Sequence, residues 1–376
     1  MKKLLLFIGL LILNPIYAQT NTIDVPEVWE TDSWDGVNWN VFSQLTYTFS
    51  NACLPTTILS KVIDFGGTEM LEDVGFVTVN YNAQDEPTGS LSKYWDDEAE
   101  TWEDNYQTVF TVVNGNITEV IGSDWINGVW EPSDRETRAY NSEGLMIQKI
   151  EQDWGESGND WVNDSKIEYT YNLDETLNVV TNYEWSTSIQ NWVNNTLETY
   201  SYSSGLAATL KTEDWNGSAW GNDRLRHYTY DSNEFLIETL KTKWNGDTYD
   251  NEELLSRTNN ADGNPTETIT QAWFFGNWVN TSRDRRTYPS CATLSTQNIA
   301  KAEFRVYPNP AQNHVNVQTN ISGNLSVIDI HGRQLISQQS TVGSNTVNTA
   351  LLTNGMYLLS IENQNTKTTK RLVIDK

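Results

Sequence analysis

The tryptophans of this chain recur with a fixed period. One stands at 95, 125, 154, 185, 215, 244 and 273, in steps of 29 to 31 residues. A period of this length is the mark of one supersecondary unit repeated along the chain, each copy burying its apolar face against the next. Trp34 lies 61 residues before Trp95, about two periods, which places a degenerate unit near Phe65 and predicts about eight units.

Each unit carries a second aromatic shortly after the first. The pairs are Trp34 and Trp39, Trp95 and Trp102, Trp125 and Trp130, Trp154 and Trp161, Trp185 and Trp192, Trp215 and Trp220, Trp244 and Tyr249, and Trp273 and Trp278. Between them lie turn pairs such as Asp35-Gly36, Asn127-Gly128, Asn216-Gly217 and Asn245-Gly246. The separations are always odd, so each loop is even and the two rings stand opposite each other across a hairpin. Such a pair contributes roughly 0.2–1 kcal/mol beyond Ala–Ala.

A Tyr-x-Tyr element follows the first Trp by about half a period. Tyr169-Thr-Tyr171, Tyr200-Ser-Tyr202, Tyr228-Thr-Tyr230 and Arg286-Thr-Tyr288 show it, and Arg138-Ala-Tyr140 and Tyr47-Thr-Phe49 are variants. Alternation puts the two rings of each element on one face. A polar turn comes next, and the following strand climbs to the next Trp. Period two also predicts that Met146, Ile150 and Trp154 share a face, as do Leu177, Val179, Tyr183 and Trp185. The expected fold is all-β: an antiparallel meander of about eight two-strand repeats, some 16 strands, with Trp and Tyr on one face and Thr, Glu, Asp, Asn and Lys on the other. The Tyr-x-Tyr-Asp/Asn-x-x-Gly element is loosely similar to the YD repeats of Rhs-type shell proteins, with a longer period and a Gly that is often missing.

A sheet with one aromatic face cannot leave it in water. The array must curl, as an open solenoid or as a closed barrel. Cys53 and Cys291, the only cysteines, occupy nearly the same place in the first and last units. In an open stack they would lie roughly 70 Å apart, at about 4.8 Å per strand, whereas a disulfide needs Cα atoms within about 7 Å. A Cys53–Cys291 bridge would therefore require a ring.

The ends read differently. Lys2 and Lys3, the apolar run Leu4–Leu13, Pro15 and Ala18 before Gln19 have the layout of a secretory signal peptide over residues 1–18. The run is too short to span a bilayer, and the mature chain is expected to hold no transmembrane segment. Residues 19–288 form the repeat region and 289–302 a linker. Residues 303–376 contain Phe304-Arg-Val-Tyr307-Pro308-Asn309-Pro310, then Val327-Ile-Asp-Ile-His-Gly332, then Asn354-Gly355-Met-Tyr357-Leu-Leu-Ser-Ile361 and Lys370-Arg-Leu-Val-Ile-Asp-Lys376. This stretch resembles the type A C-terminal sorting domain of the type IX secretion system of Bacteroidetes. The resemblance implies recognition by the outer-membrane export machinery, removal of the domain afterwards, and cargo that is attached to surface lipopolysaccharide or released. The alternation of Val315/Val317, Leu325/Val327, Leu335, Tyr357/Leu359/Ile361 and Leu372/Ile374 independently predicts a β-sandwich of about seven strands.

Charge narrows the function. The chain carries a formal −26, while residues 303–376 hold six Lys/Arg against four Asp/Glu, so the excess of acids belongs to the repeats. Such a surface disfavours nucleic acid as a partner. It is either a solvated exterior or a cation binder. Asp96, Asp97, Glu98, Glu100, Glu103 and Asp104 crowd one turn, yet lack the spacing of a known calcium loop. His227 stands alone in a strand, and no set of residues has metal-ligand spacing or forms a phosphate loop or nucleophile elbow. No cofactor and no enzyme activity are expected. The predicted role is a secreted or surface adhesin, or an interaction or structural module. The alternatives are a glycan-binding protein using Trp125, Trp130, Trp215 and Trp220, whose rings packing alone would also demand, and a hydrolase of unknown substrate.

Overall fold

A computed structural model describes residues 25–63, 70–155, 160–289, 304–319, 321–329, 333–362 and 367–376. The signal segment, Phe65, the linker, Cys291 and Gly332 lie outside the described residues.

The repeats form nine hairpins, not eight. They are β1 (Val28–Trp34) with β2 (Trp39–Phe49), β3 (Pro55–Ile63) with β4 (Leu71–Tyr81), β5 (Pro87–Asp96) with β6 (Thr101–Val113), β7 (Asn116–Ile126) with β8 (Val129–Tyr140), and β9 (Met146–Trp154) with β10 (Trp161–Tyr171). Then come β11 (Leu177–Ser186) with β12 (Asn191–Ser203), β13 (Leu206–Trp215) with β14 (Trp220–Tyr230), β15 (Leu236–Trp244) with β16 (Tyr249–Asn259), and β17 (Pro265–Phe274) with β18 (Asn277–Thr287). The hairpin β3–β4 lacks a Trp pair and occupies the gap between Trp34 and Trp95 where the sequence places a degenerate unit; with the eight hairpins that carry an aromatic pair it makes nine. All 18 strands lie in one antiparallel sheet, each paired with its chain neighbours. β1 also pairs with β18, from Val28 opposite Thr287 to Ser33 opposite Ser282. The meander is therefore a closed barrel, and the open solenoid is excluded. Cys53 is disulfide-bonded, and the one other cysteine of the sequence is Cys291.

Every hairpin turn between aromatics falls at the same end of the barrel, and the odd spacing has the expected effect. Trp125 faces Trp130, Trp154 faces Trp161 and Trp215 faces Trp220 in direct register. Across the eight pairs the ring centroids lie 4.8–5.3 Å apart, tilted or edge-to-face. Asn127 and Gly128 both have positive φ, 51° and 83°, the turn geometry that a two-residue hairpin loop favours.

The expectation of a single Trp/Tyr face fails, for a reason built into each unit. Trp161 and Tyr169 are eight residues apart, which period two would place on one face. A bulge at Asp164 shifts the register between them, so that Trp161 and Tyr169 point to opposite faces. The same bulge falls three residues after the second aromatic at Phe42, Asn105, Ser133, Asn195, Asp223, Glu252 and Thr281. The returning strand carries another. The bulge at Ile147 leaves Met146 on the Tyr face and sends Ile150 and Trp154 to the Trp face. The bulge at Asn178 separates Leu177 from Val179, Tyr183 and Trp185 in the same way. Bulges bend and twist strands, and a repeated bend is what closing a sheet into a barrel requires.

The Tyr face is the more buried one. Tyr47, Ile58, Val77, Tyr106, Val120, Tyr169, Val180 and Leu210 all belong to it and are 1–6% exposed. Side chains on the concave side of a closed sheet converge, so this face lines the lumen and the Trp face is outside. Eighteen strands make a barrel about 30 Å across between backbones, wide enough for an aqueous interior.

The C-terminal unit is separate. β19 (Phe304–Tyr307), β20 (His314–Thr319) and β23 (Gly343–Asn348) form one sheet. β21 (Gly323–Asp329), β22 (Gln334–Ser340), β24 (Gly355–Glu362) and β25 (Lys367–Ile374) form another. Val315, Val317, Leu325, Val327, Val347, Leu359, Ile361 and Leu372 are fully buried in one core. Leu335, expected inside, is 44% exposed. A register shift between Val327 and Ile328 of β21, opposite β22, reverses the facing there, and Ile336 packs on the core in its place.

Candidate functional site

Two surfaces of the barrel carry chemistry. The first is the outer rim. Trp125, Trp130, Trp215 and Trp220 are half-buried, each ring covering its partner across the hairpin. Below the rings, the outer face is laced with cross-strand and same-strand ion pairs. Lys61 meets Asp73 at 2.9 Å, Lys93 meets Asp104 at 3.0 Å, Arg135 meets Glu119 at 2.6 Å, and Lys166 meets Glu168 at 2.8 Å. Lys166 also lies 4.0 Å from the ring centre of Tyr183. Of the acidic turn, Asp96 caps the backbone N–H groups of Glu98 and Ala99, and Asp104 is taken by Lys93. Among the described residues no group of three His, Cys, Asp or Glu is arranged to hold a metal ion. His227 is exposed on the outer face, opposite Thr209.

The densest outer ion pairs sit at the seam. Asp32 of β1 stands opposite Arg283 of β18 and is 1% exposed. Its Oδ2 accepts from Arg283 Nε at 2.7 Å and Arg285 Nε at 3.0 Å, and its Oδ1 accepts from Arg285 Nη2 at 3.0 Å. Burial alone would raise this carboxyl; the hydrogen bonds from Arg285 and Arg283 outweigh it and hold the pKa below the ordinary value.

The second surface is the inner wall. Its repeat positions form a belt: Tyr47, Val79, Phe110, Arg138, Tyr169, Tyr200, Tyr228, Arg257 and Arg286, each opposite a residue of the next strand, as Tyr169 is opposite Val180 and Arg286 opposite Trp29. Two residues further on, a tyrosine acts as a latch in five of the units. The hydroxyls of Tyr81, Tyr140, Tyr171, Tyr202 and Tyr288 donate to the backbone carbonyls of Pro55, Ile117, Met146, Leu177 and Pro265, at 2.6–2.9 Å. Asn259 does the same to Leu236 through its amide. The second ring is therefore held as tyrosine by its hydroxyl, which ties the second strand of each such hairpin to the start of its first strand.

Charge is buried on this wall as well. Arg138 donates to Glu136, and Lys149 bridges Glu136 and Glu151 at 3.6 and 2.6 Å. Burial would raise the Glu151 carboxyl, but Lys149 and Ser165 bring it below its ordinary value. Burial raises Glu198, with Arg226 opposing only in part. The Tyr106 hydroxyl donates to both oxygens of Asp134 at 2.9 Å, and burial together with that carboxylate raises its pKa far above the usual phenol range. Gly122 leaves the space for this pair, since a Cβ there would collide with both groups. These inner charged residues were not singled out from the sequence as a site. The signal was present at three of them, where Arg138, Arg257 and Arg286 stand in place of the first tyrosine of the repeat.

In the C-terminal unit, Asn309 is clamped to β25. Its amide donates to the Arg371 carbonyl at 2.9 Å and its Oδ1 accepts from Val373 N–H at 2.8 Å. The peptides before Pro308 and Pro310 are cis, and Tyr307 is 47% exposed. The Tyr357 hydroxyl donates to the Thr353 carbonyl at 2.9 Å, holding the turn that precedes Gly355.

Comparison with known proteins agrees with this unit's sequence. Residues 305–375 match the family described as a secretion system C-terminal sorting domain. The chain is thus cargo of the type IX secretion system of Bacteroidetes, exported to the cell surface or secreted, and its sorting domain engages that machinery. No curated protein matches the chain. Among solved structures, a porin-like protein from Bacteroides uniformis is similar at 13% identity, over 71% of this chain and 99% of that one, with a TM-score of 0.40. A porin-like protein from Bacteroides vulgatus follows at 10% identity, over 71% and 100%, with a TM-score of 0.33. The Photorhabdus luminescens Tc holotoxin pore is similar at 10% identity, over 88% of this chain and 19% of that one, with a TM-score of 0.23. At these scores none of the three assigns the barrel to a family.

Proposed function

We propose that the barrel is a non-enzymatic binding module, delivered by the sorting domain to work in water at or beyond the cell surface, as an adhesin or interaction protein. The observation that carries this reading is the outer face. A barrel that spans a membrane turns an apolar band to lipid, where each Lys or Arg at mid-depth costs about 2–4 kcal/mol. Here that face holds rows of Lys, Arg, Asp and Glu in ion pairs. The half-buried Trp pairs at one end favour a saccharide as the ligand, because an indole face stacks on the apolar face of a sugar ring. A glycan array probed with the exported protein tests this, together with Trp125→Ala and Trp215→Ala. Binding lost or weakened in these variants supports the rim as the contact. Binding unchanged by both substitutions removes the rim from the account. Turnover of a polysaccharide or peptide in a broad activity screen would refute the non-enzymatic reading.

A further inference from the structure

The three arginines of the inner belt are not equivalent. Arg138 is paired with Glu136. Arg286 lies 3.2 Å from Asp284, sits over the Trp29 ring at 4.2 Å, and has a side chain only 13% exposed. Arg257 has no carboxylate partner among the described residues, and its Nη1 donates to Thr239 Oγ1 at 2.9 Å. Directly across from Arg257 stands Thr268, whose Oγ1 also accepts from Arg286 Nη1 at 3.2 Å. Two guanidinium groups therefore converge on one patch of wall, and among the described residues Asp284 is the one carboxylate ion-paired with either of them. Burial and then the charge of Arg286 lower the Arg257 pKa, as expected for a cation short of a counter-charge.

A half-buried cation without a counter-charge is costly, and the repeats around it carry the chain's excess of acids. Guanidinium groups take carboxylates through paired, parallel hydrogen bonds, and Arg257 has donors to spare beyond the one given to Thr239. Tyr228 and Tyr230 lie near enough to interact with Arg257, and Tyr47 with Arg286. Aromatic faces beside cations match a ring that is apolar on its faces and anionic at its edge. Side chains reaching inward about 6 Å from each wall leave a lumen of roughly 15 Å, enough for one saccharide chain.

We propose that the lumen is an acidic-saccharide site, in which a uronate carboxylate is held between Arg257 and Arg286 and the sugar ring rests against the neighbouring tyrosines. This site is distinct from the outer Trp rim and does not depend on it.

Calorimetry on the exported protein tests it, with tri-galacturonate as the probe and its methyl ester as the uncharged match. The proposal expects binding of the acid form alone, weakened about tenfold or more by Arg257→Gln and by Arg286→Gln. Arg257→Lys should retain part of it, and Lys211→Gln on the outer face should leave it unchanged. Failure of the native protein to bind tri-galacturonate, equal binding of acid and ester, or an affinity indifferent to Arg257→Gln overturns the proposal. Loss of binding in Trp215→Ala but not in Arg257→Gln would overturn it too, by moving the ligand to the outer rim. The acid-against-ester comparison uses the native protein and decides the matter even if a variant does not fold.

Discussion

Replacing Asp32 with Ala should loosen the barrel where it closes. The carboxylate is 1% exposed and accepts three hydrogen bonds from Arg283 and Arg285 across the β1–β18 seam. Removing one partner of a fully buried ion pair costs about 3–5 kcal/mol, and an exposed pair contributes at most about 1. The two arginine side chains are 24% and 39% exposed, so water recovers part of their solvation. The loss should be about 2–3 kcal/mol, or roughly 4–6 °C in melting temperature for a domain of this size. Thermal unfolding followed by circular dichroism reads it directly. Asp32→Asn adds a sign test. The carboxyl has a lowered pKa in the fold, so its stabilisation is complete above the ordinary carboxylate value and fades as pH falls through the lowered folded value. The native protein's advantage over Asp32→Asn should therefore be full at neutral pH and vanish in strong acid. A melting temperature unchanged by Asp32→Ala at neutral pH would refute the reasoning.

Other expectations follow from the same geometry. Tyr171→Phe, which removes the hydroxyl bonded to the Met146 carbonyl at 2.7 Å, should cost about 1 kcal/mol in denaturant unfolding. Tyr140→Phe should cost a similar amount. Gly122→Ala should destabilise more, by about 2 kcal/mol or more, because it drives a methyl group into the Tyr106–Asp134 pair. On alkaline titration followed by phenolate absorbance, Tyr47 should ionise late, its pKa pushed up from 10.0 to about 12 by burial. The unfolded chain gives up that proton first, so stability should be whole below pH 10 and fall as the pH climbs towards about 12.

Much of the architecture was legible in the sequence because it rests on local rules. Odd spacing between aromatics, turn pairs and period-two alternation fix the hairpins and put Trp125 opposite Trp130. The sorting domain was legible from its motif blocks. What was not legible came from single inserted residues. Asp164, Ser133 and Asp223 look like ordinary strand positions, yet each bulge reverses the face of everything beyond it, and alternation carried across them predicted one aromatic face where there are two. Strand number falls short for a different reason: the gap between Trp34 and Trp95 marks the β3–β4 hairpin, and that unit adds to the eight that carry an aromatic pair. Ring closure is a long-range event between Asp32 and Arg283, 251 residues apart, which no local pattern encodes. The inner cations were visible only as departures from Tyr-x-Tyr, and their meaning depends on which face is concave.

The central claim is that nine hairpins close into a ring. Cys53 follows β2 and Cys291 follows β18, so in an open sheet sixteen strand steps of about 4.8 Å, roughly 75 Å, would separate the ends that carry them. Peptide mapping of the unreduced exported protein decides between the two arrangements. A single cross-linked peptide pair containing Cys53 and Cys291, which separates on reduction, is the expected result. Two cysteines that alkylate freely without reductant in the folded protein would contradict the disulfide-bonded Cys53 of this structure and leave an open sheet compatible with the chemistry.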